Sequence, residues 1–179
     1  MSSSEPKHIG VSIELKPHAY DPAANPELFE GVTARRLVAF VIDFVILAIP
    51  VIFVAMFIFV AGIVTLGLGF LPYFLLWPAM VIWALIYYGL CFGGPHSATI
   101  GMRVMDLEMR TWYGSPAYFV LGAVHAVVFW ISVSALTPLV LLVCFFNHRQ
   151  RCLHDILVGT VVINNSTRTA TLRPSPRPY

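Results

Sequence analysis

Residues 37–61 read LVAFVIDFVILAIPVIFVAMFIFVA, and this stretch determines the fold class because Asp43 is the single charged residue within it. A helix rises 1.5 Å per residue, so the stretch extends for about 37 Å, more than the roughly 30 Å hydrocarbon core of a bilayer. It therefore predicts a membrane-spanning helix.

The rest of the chain has equally long uncharged stretches. No Asp, Glu, Lys or Arg occurs from Phe44 to Met102 or from Thr111 to His148. Of the 179 residues, 58% are apolar and 11% are charged, whereas a soluble domain has roughly 25% charged residues. A soluble domain of this size could not bury such stretches in its own core. The chain is thus predicted to be an integral protein of the lipid bilayer.

Two further apolar stretches predict additional spans. The second span is expected from Leu71 to Phe92, with Tyr87 among the aromatic anchors at its end. The third stretch, Ala117 to Phe146, is interrupted near Pro138. It predicts either one span or a helical hairpin whose second half continues as an amphipathic helix to Leu157.

The predicted fold class is an all-α membrane bundle of three segments, the third broken near Pro138 into a hairpin, which makes four helices. Alternating charged and apolar residues near 103–109 predict a short strand or an interfacial segment with one wet face. The run Thr160–Ile163 predicts a second short strand near 160–163. Around the membrane domain, which is placed at 31–164, we expect a flexible cytoplasmic arm over 1–30 and a disordered tail over 165–179.

Basic residues predict the orientation. Arg35 and Arg36 precede the first span, and the positive-inside tendency places them in the cytoplasm. Two spans return the chain to that side at Arg103. A single third span would put Arg149 and Arg151 outside, so the hairpin is the favoured alternative. We therefore expect a multi-pass protein of the cell (inner) membrane with a cytoplasmic N-terminus.

Composition and motifs argue against several classes of protein. A net charge of +2 with scattered arginines does not give the basic surface patch that is typical of nucleic-acid-binding proteins. The sequence has no phosphate-binding GxxxxGK[ST] loop, GxSxG elbow, HExxH or CxxC motif. We therefore expect no enzyme activity, cofactor or metal. Cys91, Cys144 and Cys152 are interpreted as small apolar side chains.

Asp43 is the first candidate for function because a carboxyl group inside a bilayer is costly and often marks an ion or proton path. The alternative is a structural clamp between helices. His125 is predicted to lie at the same depth and is the candidate partner, since an Asp–His pair can relay protons. The alternative for His125 is a hydrogen bond to a backbone carbonyl.

A second group of candidates follows the third stretch. Arg151 and Asp155 are four residues apart, so on one helix they could form an ordinary ion pair. The alternative is a contact between Asp155 and Arg36 at the cytoplasmic mouth of the bundle. The full set of candidates for a ligand or proton pathway is Arg36, Asp43, His125, Arg151, His154 and Asp155.

Three segments resemble signatures of one family of membrane proteins. The segment Arg36–Asp43 is similar to the first-helix signature of the RDD family, which is named for one arginine and two aspartates. The segment Leu153–Ile163 looks like its C-terminal signature, and Thr99–Arg103 is similar to its Gly-basic segment. The chain departs from the family pattern at Asp106, where a glycine is common, and at Glu108, where a basic residue is common.

The resemblance covers residues 31–164 and implies that Arg36, Asp43 and Asp155 are the three named positions. For the family, transport of a ligand, cation/proton exchange, and membrane-protein quality control or assembly have each been suggested. The departures at Asp106 and Glu108 weaken any lipid-headgroup role for that loop.

Two functional hypotheses remain open. The first is a small transporter with Asp43 as the protonatable site, Arg36 and Asp155 as the gate and His125 as a relay. A bundle of this size would be expected to form a homo-oligomer. The second is a non-catalytic scaffold or an assembly or quality-control factor that docks another membrane protein.

Overall fold

The computed structural model describes residues 19–136, 143–144, 146–147 and 149–173. The chain is mostly helical and carries a small two-stranded sheet, as predicted. The helices are α1 (Val32–Val64), α2 (Tyr73–Gly93), α3 (Ile100–Val104), α4 (Phe119–Leu136), α5 (Leu153–Val158) and α6 (Ser166–Leu172). The strands are β1 (Leu107–Thr111) and β2 (Thr160–Asn164).

The first two predicted spans are helices. The helical stretches Pro26–Val64 and Leu68–Gly93 are long and apolar enough to cross a membrane, which is consistent with a membrane protein. Helix α1 is longer than its predicted span and continues through Pro50. Most side chains in the second half of α1 are exposed apolar groups, so this half packs little against the rest of the chain.

A tight turn reverses the chain between α1 and α2. Gly67 has φ of +108°, a backbone conformation open mainly to glycine. Gly69 lies against the backbone of Ala61, where a Cβ atom would overlap with it. The Tyr73 hydroxyl donates to the carbonyl oxygen of Ala55 at 2.8 Å. These contacts place the start of α2 beside the end of α1.

Helix α4 packs along α2 through small residues. A Cβ at Gly93 would lie 2.9 Å from the backbone nitrogen of Phe119, and one at Gly122 would lie 2.7 Å from Cβ of Phe92. Glycine permits this close approach of helices. The predicted interruption near Pro138 lies outside the described residues, and the predicted helix towards Leu157 is wrong for residues 149–152, because α5 begins at Leu153.

The two strands lie close to their predicted positions. They pair antiparallel, with Leu107 opposite Asn164 and Thr111 opposite Thr160. Residues 103–104 belong to α3 instead of the strand. The turn that follows contains Asp106 with φ of +52°. This is the left-handed region, which explains why a glycine would suit a position where the chain has an aspartate.

The sheet is covered on both faces because successive side chains of a strand point in opposite directions. Val161 and Ile163 of β2 pack with Phe29. Val162 joins the main core together with Met109 and helical side chains. The main core therefore lies at the end of the bundle that holds the start of α1 and the end of α2.

The described parts of the two terminal segments contain short helices. Residues 19–30 include a turn of 3-10 helix at Pro26–Leu28, and the amide of Asn164 donates to the carbonyl oxygens of Glu27 and Glu30. Residues 1–18 lie outside the described residues. Helix α6 lies within the predicted disordered tail at Ser166–Leu172, where the Asn165 side chain caps its first turn. Residues 174–179 are not described.

Candidate functional site

Asp43 is enclosed by neighbouring elements, as predicted, and is 4% exposed. Its Oδ1 accepts hydrogen bonds from the Tyr87 hydroxyl at 2.6 Å and the Gly101 backbone nitrogen at 2.8 Å. Its Oδ2 accepts from the Thr99 hydroxyl at 2.6 Å. Asp43 thus joins α1 to the end of α2 and to the first turn of α3.

The residues that satisfy Asp43 were missed by the sequence analysis. Tyr87 was interpreted as an interfacial anchor, but its hydroxyl is directed to the buried carboxylate. Thr99 also caps α3 by accepting from the Met102 backbone nitrogen at 3.1 Å. The available signal was a threonine directly before a Gly-containing turn of helix, which is an N-cap pattern.

The predicted pairing of His125 with Asp43 is wrong. Nδ1 of His125 lies 3.3 Å from the hydroxyl oxygen of Thr160, and its Nε2 lies 3.7 Å from Oδ1 of Asp155. Asp43 faces α2 and α3, whereas His125 faces α5 and β2. The rotation of the helices thus directs the two side chains to different partners.

The contact expected between Arg36 and Asp155 is present. Nη1 of Arg36 donates to Oδ2 of Asp155 at 2.6 Å and to the carbonyl oxygen of Gln150 at 3.3 Å. The same Oδ2 accepts from the backbone nitrogen of Cys152 at 2.9 Å. Burial alone would raise the pKa of Asp155, but the groups around it, chiefly the charge and hydrogen bond of the Arg36 guanidinium together with the two histidines, hold that pKa well below its usual range.

The alternative pairing of Arg151 with the Asp155 carboxylate is wrong. Arg151 donates to two backbone oxygens, those of Thr160 at 2.8 Å and Asp155 at 2.9 Å. Its guanidinium lies over the ring of Trp112, 4.8 Å from the centroid. The reason is that α5 begins only at Leu153, so Arg151 is not on the same helix as Asp155 and instead holds the corner between α5 and β2.

Two histidines meet at the second oxygen of Asp155. Oδ1 of Asp155 lies 3.6 Å from Nε2 of His154 and 3.7 Å from Nε2 of His125. No hydrogen-bond donor reaches this oxygen from the described residues, although it is buried. Burial lowers the pKa of His154 to about 4, so its ring is neutral near pH 7.

This cluster has the chemistry of a metal-binding group, which the sequence analysis did not expect. The ligand atoms of His125, His154 and Asp155 all lie within 4.8 Å of one another, and all three residues are buried. The adjacent pair His154 and Asp155 was visible in the sequence. His125 lies 29 residues earlier, and no motif spacing links it to the pair.

A cavity of about 360 Å³ lies inside this end of the bundle. Asp43 and His125, which do not touch, both line it. Cys144 also lines it. Most of the lining is apolar, and the polar or ionisable described residues in it are Thr33, Arg36, Asp43, Tyr88, Thr99, His125, Cys144, Cys152 and His154.

Comparison with known proteins gives one match. A family model described as the RDD family matches residues 31–159, which is more than two thirds of the chain and includes Arg36, Asp43 and Asp155. No curated protein and no solved structure matches the chain.

Proposed function

Since this chain belongs to the RDD family, we propose that it is a multi-pass membrane protein that binds a small ligand in its inner cavity, as a step in transport. The observation that carries this proposal is the convergence of α1, α2, α4 and α5 on one cavity. Its polar groups come from segments far apart in the sequence and meet in an otherwise apolar wall.

The orientation in this proposal follows from the basic residues, which gather at one end of the bundle. α3 packs on α1 at Ala39, β1 pairs with β2, and Arg151 binds the backbone of Thr160. The positive-inside tendency makes this end cytoplasmic, with α1, α2 and α4 entering the membrane. The basic residues concerned are Arg36, Arg103, Arg110, Arg149 and Arg151.

The size and lining of the cavity support a small ligand. Binding sites for small molecules have volumes of about 300 to 1,000 Å³ and combine apolar walls with a few polar groups. Here Phe40, Phe92 and Phe129 provide aromatic wall, and Arg36 and His154 provide polar groups. A compact and mainly apolar molecule with one polar end fits this description.

Within this proposal the role of Asp43 differs from the one expected of a proton carrier. Its two oxygens already accept from Tyr87, Thr99 and Gly101, so both are engaged by donors that hold the side chain in place. We therefore assign Asp43 to the structure of the site. The ligand pathway is assigned to the side of the cavity that holds Arg36, His125 and His154.

Filling the cavity tests ligand binding. Ala126 is buried and lines the cavity, so Ala126→Phe should exclude the ligand, whereas Ala79→Phe adds the same group on an exposed position of α2. Native mass spectrometry of protein released from its own membranes should show a bound small molecule in the unmodified chain and in Ala79→Phe, but not in Ala126→Phe. Equal loads in all three would contradict the proposal, provided that circular dichroism shows the same helix content.

A second candidate function, a scaffold that docks another membrane protein, is favoured by the exposed apolar helix surface. Phe57 is 74% exposed and Trp77 is 70% exposed, and the chain itself covers little of the second half of α1. Lipid covers such a surface equally well, so the two candidates differ in whether a protein partner is present.

Measuring whether the chain associates with a protein partner in a bilayer distinguishes the scaffold from the ligand-binding function. The full chain would be reconstituted in nanodiscs after crosslinking in its native membrane, and its mass determined with and without Phe57→Ala. A scaffold should carry a partner in fixed stoichiometry that this variant weakens. A monomer without a stoichiometric partner would contradict the scaffold and leave ligand binding as the function.

A further inference from the structure

We propose that His125, His154 and Asp155 form a binding site for a divalent transition-metal ion, with Zn²⁺ as the ion that these ligands suit best. The ligand atoms are an imidazole nitrogen of each histidine and Oδ1 of the aspartate. The site lies in the wall of the cavity but does not depend on the cavity holding a ligand, so it goes beyond the proposed function.

The distances are close to those of a coordinated ion. Oδ1 of Asp155 lies 3.6 Å and 3.7 Å from Nε2 of His154 and His125. Two ligands at the usual bond length in a tetrahedral zinc site are about 3.3 Å apart. Both oxygen–nitrogen distances are within a few tenths of an ångström of this value. The three ligand atoms lie within 4.8 Å of one another, so the two imidazole nitrogens would have to approach by up to about 1.5 Å, through rotation of the side chains, to bind one ion.

The oxygen assigned to the ion is free of other bonds. Oδ2 of Asp155 is occupied by the Arg36 guanidinium and by the backbone nitrogen of Cys152. Oδ1 is buried and receives no hydrogen bond from the described part of the chain. A buried carboxylate oxygen without a donor is costly, and an ion bound to it would remove that cost.

A threonine hydroxyl next to His125 supports the orientation of its ring. The Thr160 hydroxyl lies 3.3 Å from Nδ1 of His125, and it can accept the proton of that nitrogen. In the tautomer with the proton on Nδ1, this contact leaves Nε2 as the nitrogen directed to Asp155, the arrangement that outer partners give to metal-binding histidines. Thr160 is itself fully buried in β2, so the ring has a rigid support.

The charge around the site restricts the type of ion. Arg36 is the cation that faces Asp155, and it binds the oxygen opposite to the one assigned to the metal. With a single carboxylate and a neighbouring cation, the site is a poor match for Ca²⁺ or Mg²⁺, which require several oxygen ligands. Two imidazoles and one carboxylate instead suit Zn²⁺ or Co²⁺. The fourth position would face the cavity, where Cys144 and Cys152 lie.

Metal content and Co²⁺ absorption test the site directly. The full chain, without a histidine tag, would be stripped with a chelator in detergent micelles, loaded with Zn²⁺ or Co²⁺ and dialysed. We expect about one ion per chain, and the intense visible bands of four-coordinate Co²⁺. The variants His125→Ala and His154→Ala should each lose this ion. The matched control is His96→Ala, because His96 is exposed and lies outside the cluster, and it should retain it.

Further measurements keep the test decisive if a histidine variant fails to fold. The spectrum of the unmodified chain needs no variant, and Thr160→Val keeps all three ligands while weakening binding about 10- to 100-fold. Weak six-coordinate Co²⁺ bands in the unmodified chain, or equal metal content in His96→Ala and His154→Ala, would overturn the proposal. Ala126→Phe should lose the cavity ligand and keep the metal, which separates this result from the proposed function.

Discussion

At the scale of single residues, Asp43 illustrates how a long apolar helix can carry a buried carboxylate. Three donors from α2 and from the start of α3 surround it. Asp43→Asn would replace one carboxylate oxygen by an NH2 group, which cannot accept from the donor that now points at that oxygen, and would remove the negative charge that strengthens these bonds. We expect a loss of about 1 to 3 kcal/mol in the free energy of unfolding.

Denaturant titration in detergent measures this loss. Asp21→Asn is the matched control, because Asp21 is exposed and its carboxylate accepts from the Ala23 nitrogen, a bond that an asparagine can keep. An Asp43→Asn variant as stable as Asp21→Asn would show that the three bonds do not stabilise the fold.

Also at the residue scale, the Arg36–Asp155 pair is fully desolvated at the carboxylate, which is 0% exposed. Arg36→Met alone leaves a buried carboxylate without its cation, which costs about 3 to 5 kcal/mol. We expect the double variant Arg36→Met/Asp155→Leu to be less destabilised than the sum of the two single variants, as measured by denaturant unfolding of metal-stripped protein.

Reversing both charges of the pair should restore less of the free energy of unfolding than the double variant Arg36→Met/Asp155→Leu does. The carboxylate also accepts from the Cys152 backbone nitrogen, and a reversed pair would place an arginine against that donor. Strict additivity of the two single variants, Arg36→Met and Asp155→Leu, would contradict a direct pair.

At the scale of elements, Gly101 sets how closely α3 approaches α1. A Cβ atom there would overlap the backbone oxygen of Ala39 and lie 2.9 Å from Oδ1 of Asp43. Because backbone atoms cannot move aside as a side chain can, Gly101→Ala should displace α3 and cost about 1 to 3 kcal/mol.

Hydrogen exchange should locate the effect of Gly101→Ala in α3, as faster exchange of the Gly101 and Met102 amides. Ile100→Ala is the control within the same helix, because Ile100 is 41% exposed and its truncation leaves the approach of the two helices unchanged. Equal protection in the two variants would contradict a close contact at Gly101.

At the scale of the whole molecule, stability should depend on pH through the buried cluster. The pKa of His154 is about 4 in the folded chain, against 6.5 for an unperturbed histidine. The unfolded chain therefore binds a proton in a pH range where the folded chain does not. Stability of the metal-stripped protein should therefore fall by about 3 kcal/mol between pH 6.5 and pH 4. Asp155 has a lowered pKa, and its contribution is lost only at more acidic pH.

Denaturant unfolding from pH 7.5 to pH 4.5 measures this fall. His154→Gln removes the titrating group and should reduce the slope of stability against pH. The same slope in both proteins would mean that His154 takes up its proton in the folded chain as readily as in the unfolded one.

Sequence alone was enough to predict the helical class, the two long apolar helices, both strands and the clustering of basic residues. These features depend on composition and periodicity within one segment, and the uncharged stretches are long enough to leave few alternatives. The contact between Arg36 and Asp155 was also within reach, because the positive-inside tendency places both at one end of the bundle.

Which polar groups contact one another depends on the tertiary fold and could not be predicted from local sequence. The partners of Asp43 depend on the rotation of α1 about its own axis. In the observed rotation Asp43 faces α2 and α3, and a modestly different rotation would direct it towards His125. His125 and His154 are brought together by packing of α4 against α5, and no local pattern encodes that packing. Contacts between distant segments depend on the position of every element at once, which is why the candidate metal site could not be found in the sequence.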